Sequence, residues 1–364
     1  MQPCAAVARS HNSAPRRFLF VDGLRGVAAL WVVFFHALEG AHIDSLVAAL
    51  PQSLVTVIFK WGHFGVAIFF VLSGFVIAHS LRDATVTPSY LGRFMLRRSI
   101  RLDPPYFLSI ILVLAFAYVS ATVKREVTPW PTLSQLGAHA LYVQGLCGIE
   151  QINDAYWTLC YEIQFYLVLC VLIGMSQCIG SHGTAMVFLP AGAVSLLWAL
   201  GFWSDNIAPG LFTNLWYGFL LGVFCYWAWN RTIPTPWFFV YAFTILISAI
   251  VRQNGFAITC STVALLLFAA ARLNQLENWL CWRWLQFLGL VSYSLYLIHN
   301  PITGASFYVM KKQLGKSAAS EGWMLVMAVV GCIALAYLMT RLIERPFLQL
   351  ARTVSLTAER PKSR

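Results

Sequence analysis

The feature that most constrains this chain is a succession of long apolar runs separated by charged residues, prolines and glycines. About 20 helical residues cross a bilayer core about 30 Å thick, because each residue adds about 1.5 Å. Ten runs approach or reach this length. They lie near residues 18–38, 61–81, 100–120, 157–176, 184–203, 210–229, 236–251, 255–273, 284–302 and 323–343. The pattern predicts an all-α, polytopic membrane helix bundle with about ten transmembrane helices.

Composition agrees with this prediction. Only 11% of the 364 residues are charged and 59% are hydrophobic, whereas soluble domains carry about 25% charged residues. Ten spans use about 200 residues, so the connections and tails are too short for an independent soluble domain. We therefore expect a cytoplasmic N-terminal tail at 1–17, one transmembrane domain at 18–347 and a basic cytoplasmic tail at 348–364.

The distribution of positive charge predicts the topology. The two tails and the even-numbered connections hold 17 of the 25 Lys and Arg residues, the odd-numbered connections hold 7, and Arg25 lies inside the first run. By the positive-inside rule, both termini are expected in the cytoplasm, with 121–156 and 303–322 outside. The same bias accounts for much of the formal net charge of +11. We therefore expect membrane lipids, and no nucleic acid, as partners.

The nine cysteines occur singly, and no C-x-x-C pair is present. Most of them lie inside apolar runs, where cysteine behaves as a small hydrophobic residue. We expect neither a disulfide framework nor a metal site.

The first apolar run contains polar residues that need a reason, because a charge at the centre of a spanning helix costs about 2.5 to 3.5 kcal/mol on insertion scales. Arg25 and His36 are 11 residues apart, which is three helical turns plus about 20° and a rise of about 16 Å. They share one helix face. Asp22 joins that face and is expected to pair with Arg25. One interpretation is that these three residues form a polar track along the helix. The other is that Arg25 is a snorkelling interfacial charge paired with Asp22 and that His36 serves only packing.

A cluster of arginines precedes Pro104 and Pro105 at the cytoplasmic mouth of the third run. If the segment is helical up to the prolines, Arg97 and Arg101 (i, i+4) and Arg98 and Arg101 (i, i+3) form one cationic face. The guanidinium fork suits phosphate oxygens. Anchoring to acidic lipid is the alternative.

Two further residues are expected in the outer half of the membrane, as His36 is. Glu162 lies about six residues, or about 9 Å, inside the outer end of the fourth run, and His299 lies about 15 residues, or about 22 Å, from the cytoplasmic start of the ninth. Two imidazoles and a carboxylate at one depth would suit general acid–base chemistry. The alternative for Glu162 is a protonated structural carboxylate.

Six motifs in this order resemble the acyltransferase 3 family of integral-membrane acyltransferases over about residues 18–347. They are Asp22-Gly-Leu-Arg25-Gly-Val-Ala with His36, Phe69-Phe-Val-Leu-Ser73-Gly-Phe75, Arg97-Arg-Ser-Ile-Arg101 with Pro104-Pro-Tyr106, Trp157-Thr-Leu-Cys-Tyr-Glu162 with Phe165-Tyr166, Ser292-Tyr-Ser-Leu-Tyr-Leu-Ile-His299, and Glu344-Arg-Pro-Phe347. Each motif alone is weak, but six in order on the predicted spans are specific.

The resemblance implies an enzyme that takes an acyl group, usually acetyl, from cytoplasmic acyl-coenzyme A. The acceptor would be a hydroxyl of a carbohydrate or glycolipid at or across the membrane. The family's histidine role falls on His36, its arginine on Arg25, and its R-x-x-R motif on Arg98 and Arg101. Acyl-coenzyme A, by preference acetyl-coenzyme A, is the expected donor substrate. The chain is expected to be a multi-pass protein of a bacterial inner membrane.

Residues and resemblance together give one hypothesis for the site. The catalytic candidates are His36, Glu162 and His299, and the donor-binding candidates are Arg25, Arg97, Arg98, Arg101 and Ser73. Either Glu162 or His299 would orient or recharge the His36 imidazole. Ser73 and Gly74 would leave room for the pantetheine arm, or would serve only helix packing. The rival function is a polytopic transporter or channel with an intramembrane His/Glu/Arg relay.

Overall fold

The computed structural model describes residues 17–128, 130–204, 207 and 209–356. Over these residues the chain is helical without strands, and ten helices of at least 14 residues occur at the positions of the ten apolar runs. They are α1 Leu19–Glu39, α2 Gly65–Ser80, α3 Pro88–Lys124, α4 Trp157–Ile179, α5 Gly183–Ala199, α6 Trp216–Trp229, α7 Thr235–Val251, α8 Gly255–Arg272, α9 Arg283–Leu314 and α10 Ala318–Met339. The all-α bundle is confirmed. Residues 1–16 and 357–364 of the predicted tails lie outside the described residues.

Six helical segments of the described chain are long and apolar enough to cross a membrane. They are Leu19–Glu39, Gln52–Ser80, Pro88–Lys124, Asp154–Ile179, Gly255–Arg272 and Ala318–Thr353. The helices α5 and α7 are apolar but shorter. The chain is therefore a multi-pass membrane protein. Ten crossings and cytoplasmic termini stay predictions.

Helix α6 forms the centre of the bundle. Every residue from Trp216 to Ala228 is buried, as expected for an uncharged helix that is apolar on all sides. The ring of Phe219 stacks on Phe70 of α2 at 4.2 Å and on Phe165 of α4 at 4.4 Å. Helix α6 thereby fixes α2 and α4, which carry two walls of the candidate site.

Helices α1 and α9 pack closely through glycines. A Cβ atom on Gly289 of α9 would lie 2.1 Å from the carbonyl oxygen of Asp22, and one on Gly26 of α1 would lie 2.8 Å from the Gly289 nitrogen. Only glycine permits this approach, as at other close contacts between membrane helices. The polar face of α1 that carries Arg25 and His36 is thereby held against α9.

Helix α3 continues through Pro104 and Pro105, although the arginine segment was expected to be helical only up to the prolines. Prolines are tolerated in membrane helices where neighbouring groups supply replacement hydrogen bonds. Beside this turn, the Tyr293 hydroxyl of α9 donates to the Leu102 carbonyl at 2.9 Å. The arginine cluster and the membrane-spanning part therefore belong to one continuous helix.

The connection between α3 and α4 folds back along α3. It contains the short helix Leu133–Ala140, whose buried His139 lies 2.8 Å from the Tyr106 hydroxyl through Nδ1. Farther along, the Tyr142 hydroxyl donates to Oδ1 of Asp103 at 3.0 Å. Because this connection packs between helices, α4 begins inside the bundle rather than at its outer rim.

Candidate active site

A narrow cavity of about 60 Å³ lies between α1, α2, α4 and α9. Its lining changes character over one helical turn. One end is polar and is lined by Arg25, Ser73, Glu162 and Ser292, and the other is mostly apolar and is lined by Val66, Phe69, Thr158 and Tyr296. We call these the arginine end and the acyl end.

Three arginines gather at the arginine end. Arg25 donates from Nε to the Ser292 hydroxyl at 3.3 Å, and Arg101 lies within electrostatic range of both Arg25 and Arg98. The Arg98 guanidinium lies over the Tyr166 ring, 4.4 Å from its centre, in a cation–π contact. The buried Nε of Arg101 has no hydrogen-bond partner among the described residues. This end can bind an anion.

The structure distinguishes between the two spacings of the predicted cationic face. The i, i+3 pair of Arg98 and Arg101 faces the other helices. Arg97 interacts electrostatically with Tyr90 instead. Neighbouring helical residues are separated by about 100°, so Arg97 and Arg98 cannot share one direction. The structure therefore separates Arg97 from the pair of Arg98 and Arg101, and Arg25 is the arginine candidate that lines the cavity.

Glu162 belongs to the arginine end. Its carboxylate accepts hydrogen bonds from the hydroxyls of Ser73 and Tyr166. The carboxylate that pairs with His36 is Glu39, so the expected grouping of Glu162 with the imidazoles is wrong. The depth count assumed that α4 starts at the outer rim, whereas the folded-back connection makes it start within the bundle.

Ser73 and Gly74 have different environments. Ser73 lines the cavity, whereas a Cβ atom on Gly74 would lie 2.0 Å from the Phe219 carbonyl oxygen of α6. Gly74 therefore serves helix packing, and Ser73 remains a candidate for contact with a ligand.

Two imidazoles lie together beyond the acyl end. The rings of His36 and His299 are 4.9 Å apart between centres. His36 Nδ1 lies 2.8 Å from Oε2 of Glu39, and His299 Nδ1 lies 2.7 Å from the Tyr296 carbonyl oxygen. We call His36, Glu39 and His299 the histidine end.

The partners of the two imidazoles assign their protons. A carbonyl oxygen and a carboxylate only accept, so each Nδ1 carries a hydrogen and each Nε2 of the neutral rings keeps a lone pair. The Nε2 atom of His299 is buried and has no hydrogen-bond partner in the described part of the chain. The histidine end therefore presents nitrogen lone pairs, which a general base requires.

The expected ion pair between Asp22 and Arg25 does not form. Asp22 instead pairs with Arg17, whose Nε lies 2.8 Å from Oδ2. The Arg25 side chain is drawn to Ser292 on α9, because the glycine contact between α1 and α9 brings that hydroxyl within reach. Arg25 is consequently available at the cavity.

Sequence reasoning missed two carboxylates as site residues. Glu39 follows His36 by three positions, and that i, i+3 spacing was a usable signal. Glu344, in a π-helical turn after α10, accepts from the Ser294 and Thr340 hydroxyls at 3.1 and 3.3 Å. It also acts electrostatically on Arg101, which only the tertiary fold reveals.

The structure describes a multi-pass membrane protein whose cavity has an arginine end, with a pair of imidazoles beyond the acyl end. The chain matches the acyltransferase domain family, acyltransferase 3, over residues 18–341. It belongs to that family and is a membrane acyltransferase. The motif resemblance is confirmed.

Three relatives show how far the similarity extends. "Nodulation protein 10" of Rhizobium leguminosarum bv. viciae is 25% identical over 97% of this chain and 98% of its own. "Protein 2 in picA locus" of Rhizobium radiobacter is 37% identical over 34% of this chain and 58% of its own. A Bacillus subtilis (strain 168) protein, named for a proposed peptidoglycan O-acetyltransferase activity, is 24% identical over 92% of this chain and 56% of its own. No solved structure gives a significant match.

Proposed function

We propose that this protein transfers an acyl group, acetyl by preference, from cytoplasmic acyl-coenzyme A to a hydroxyl of a carbohydrate or glycolipid at or across the membrane. One observation carries the proposal: Arg25 lines the arginine end of a cavity between α1 and α9, and a pair of imidazoles lies just beyond its acyl end. A carbohydrate acceptor is supported by the relative named for peptidoglycan O-acetylation.

The arginine end would bind the anionic head of the donor. Three guanidinium groups, those of Arg25, Arg98 and Arg101, interact there, against the two carboxylates of Glu162 and Glu344. Clustered like charges are unfavourable in a low-dielectric interior. A bound phosphate group would relieve the excess and accept from Nε of Arg101, which has no partner among the described residues.

The histidine end would carry out the chemistry. His36 Nε2 takes the proton of the acceptor hydroxyl while that oxygen attacks the thioester carbonyl carbon. The carbon–sulfur bond breaks, and the coenzyme A thiolate leaves and recovers the proton from the imidazolium. Such a base contributes about 10²- to 10⁴-fold. Glu39 holds the reactive tautomer and stabilises the imidazolium, while Nε2 of His299 accepts a hydrogen bond from the acceptor.

The first experiment asks whether the protein binds the donor. Purified protein in detergent is heated with coenzyme A or acetyl-coenzyme A, and the unfolding midpoint should rise because a ligand that binds only the folded state stabilises it. An Arg98→Ala/Arg101→Ala variant should lose the shift. Arg272→Ala, which removes an exposed arginine from the end of α8, should keep it. No shift in the unmodified protein would favour the transporter instead.

The second experiment concerns the acceptor. Surface glycans from cells with and without the protein are compared by mass spectrometry. The proposal expects the glycans to lose one acyl mass when the protein is absent. Identical glycan masses would contradict a carbohydrate acceptor, whatever the outcome of the donor-binding experiment.

A further inference from the structure

We propose that the acyl end of the cavity is the subsite for the transferred acyl group and that Phe69 limits the chain length accepted there. The inference rests on the proposed function, since it assumes an acyl-coenzyme A donor. It extends that function by naming the side chains that select the donor. The cavity carries the argument, because its walls change from polar to apolar within one helical turn.

The acyl end adjoins a small hydrophobic cluster. Val32, Ala155 and Tyr296 form this cluster, and Val66 and Phe69, which also border the larger cores, pack against it. These residues come from α1, α2, α9 and the segment before α4. Their apolar walls suit a hydrocarbon group and offer little to a phosphate or a sugar hydroxyl.

The acyl end adjoins the proposed base. Val32 precedes His36 by one helical turn, and the Tyr296 ring is centred 5.9 Å from that of His299. A donor whose anionic head lies at the arginine end would therefore carry its acyl group beneath the imidazoles. The acyl group would rest against Val66 and Phe69, and the thioester carbonyl would lie beside it, within reach of an acceptor oxygen held by His36.

Two contacts make Tyr296 a fixed wall. Its hydroxyl is 2.9 Å from Oγ1 of Thr158, and its ring meets Phe69 edge to face at 5.7 Å. Tyr296 is 8% exposed, whereas Phe69 is only partly buried and borders the open space. Phe69 is thus the large side chain whose removal would enlarge the subsite.

The small volume implies selection for short acyl groups. The whole cavity, its arginine end included, offers about 60 Å³, so the part at the acyl end suits a group of a few heavy atoms. Longer chains would have to displace packed side chains, and overpacking is unfavourable. Where room exists, each buried methylene strengthens binding by about fourfold, from about 0.8 kcal/mol. The Phe69→Ala variant should gain this benefit with longer donors.

The test measures donor binding and needs no identified acceptor. Purified unmodified protein and Phe69→Ala are titrated with coenzyme A, acetyl-coenzyme A and hexanoyl-coenzyme A, and dissociation constants are obtained from the unfolding midpoint. The unmodified protein should bind the hexanoyl donor at least about tenfold more weakly than the acetyl donor. In Phe69→Ala, the ratio of the hexanoyl to the acetyl dissociation constant should fall by at least about tenfold.

Two further variants control the test. Phe243→Ala removes a phenylalanine that is 45% exposed on α7, and it should leave the ratio unchanged. Phe69→Leu is a milder enlargement that decides the question if Phe69→Ala does not fold. The same ratio in the Phe69 variants and the unmodified protein would overturn the subsite. If no coenzyme A compound binds the unmodified protein, the proposed function itself fails.

Discussion

The arginine end and the histidine end differ in how their polar groups are held. At the arginine end, cations lie beside carboxylates and hydroxyls, and the guanidinium of Arg98 rests on an aromatic ring. At the histidine end, Nδ1 of each imidazole is fixed, while Nε2 of His299 has no partner in the part of the chain that the structure describes. The first arrangement suits binding of a charged group, and the second suits proton transfer. Ser292 at the arginine end and His299 at the histidine end are seven residues apart on α9, which is about 10 Å along the helix axis.

The largest expected effect concerns the sides of the membrane that the two ends face. Cys147 and Cys178 are both exposed, and the charge bias assigns them to the outside and the cytoplasm. A membrane-impermeant maleimide applied to intact cells should label the unmodified protein, and Cys147→Ser should abolish the labelling. In permeabilised cells, Cys178 should also react. Labelling of Cys178 but not Cys147 in intact cells would invert the topology.

A change at the histidine end should abolish transfer without affecting donor binding. His36→Gln keeps a hydrogen-bonding side chain but cannot take up a proton near neutral pH. Transfer per folded molecule, measured as acyl mass gained by surface glycans, should fall at least about a hundredfold. The coenzyme A-induced rise in unfolding midpoint should remain. Activity within tenfold of the unmodified protein would remove His36 as the base and leave His299 as the next candidate.

A change at the arginine end should have the opposite signature. Arg98→Ala or Arg101→Ala removes a charge-assisted contact to phosphate, commonly worth about 1.5 to 3 kcal/mol. Donor affinity should fall about ten- to a hundredfold, while transfer at saturating donor changes much less. Lysine should rescue only in part, because it lacks the planar fork. Unchanged affinity in the double Ala variant would reduce the cluster to membrane anchoring.

Features set by helical periodicity could be predicted from the sequence. The helix positions follow from apolar run length, and the shared face of Arg25 and His36 follows from their 11-residue spacing on α1. The i, i+3 relation of Arg98 and Arg101 was also foreseen. Each of these features lies within one helix, where geometry is fixed by the backbone.

Features that depend on contacts between elements could not be predicted in the same way. Glu162 was assigned to the histidine end because its depth was counted from a rim that α4 does not reach. Asp22 was paired with Arg25 because the sequence does not show that Ser292 of α9 lies next to Arg25. Glu344 reaches Ser294 only through the π-helical turn after α10.

A smaller effect is expected at the partner of the base. Glu39 bonds His36 from a side chain that is 56% exposed, so water can replace part of its contribution. Glu39→Gln should lower transfer by about tenfold while donor affinity and unfolding midpoint stay unchanged. Glu126→Gln, which changes another exposed carboxylate, is the matched control. Equal activity of both variants would show that Glu39 does not position the imidazole.

The smallest expected effect concerns Tyr106, which packs in one hydrophobic cluster with Ala29 and Val33 of α1. His139 supports Tyr106: its Nε2 accepts from the Ile152 N–H at 3.2 Å, so Nδ1–H donates to the Tyr106 hydroxyl. Burial lowers the pKa of His139 below its ordinary 6.5.

The sign of the resulting pH dependence follows from proton uptake. Below about pH 6.5 the unfolded chain binds a proton at this position more readily than the folded protein does, so the free energy of unfolding falls as the pH drops towards the lowered pKa. The slope is at most about 1.4 kcal/mol per pH unit. His139→Gln can replace both hydrogen bonds without titrating. Its unfolding midpoint should therefore fall less between pH 7.5 and 5.5 than that of the unmodified protein. Since every other titrating group is common to both proteins, an equal fall would show that His139 does not remain neutral in the fold.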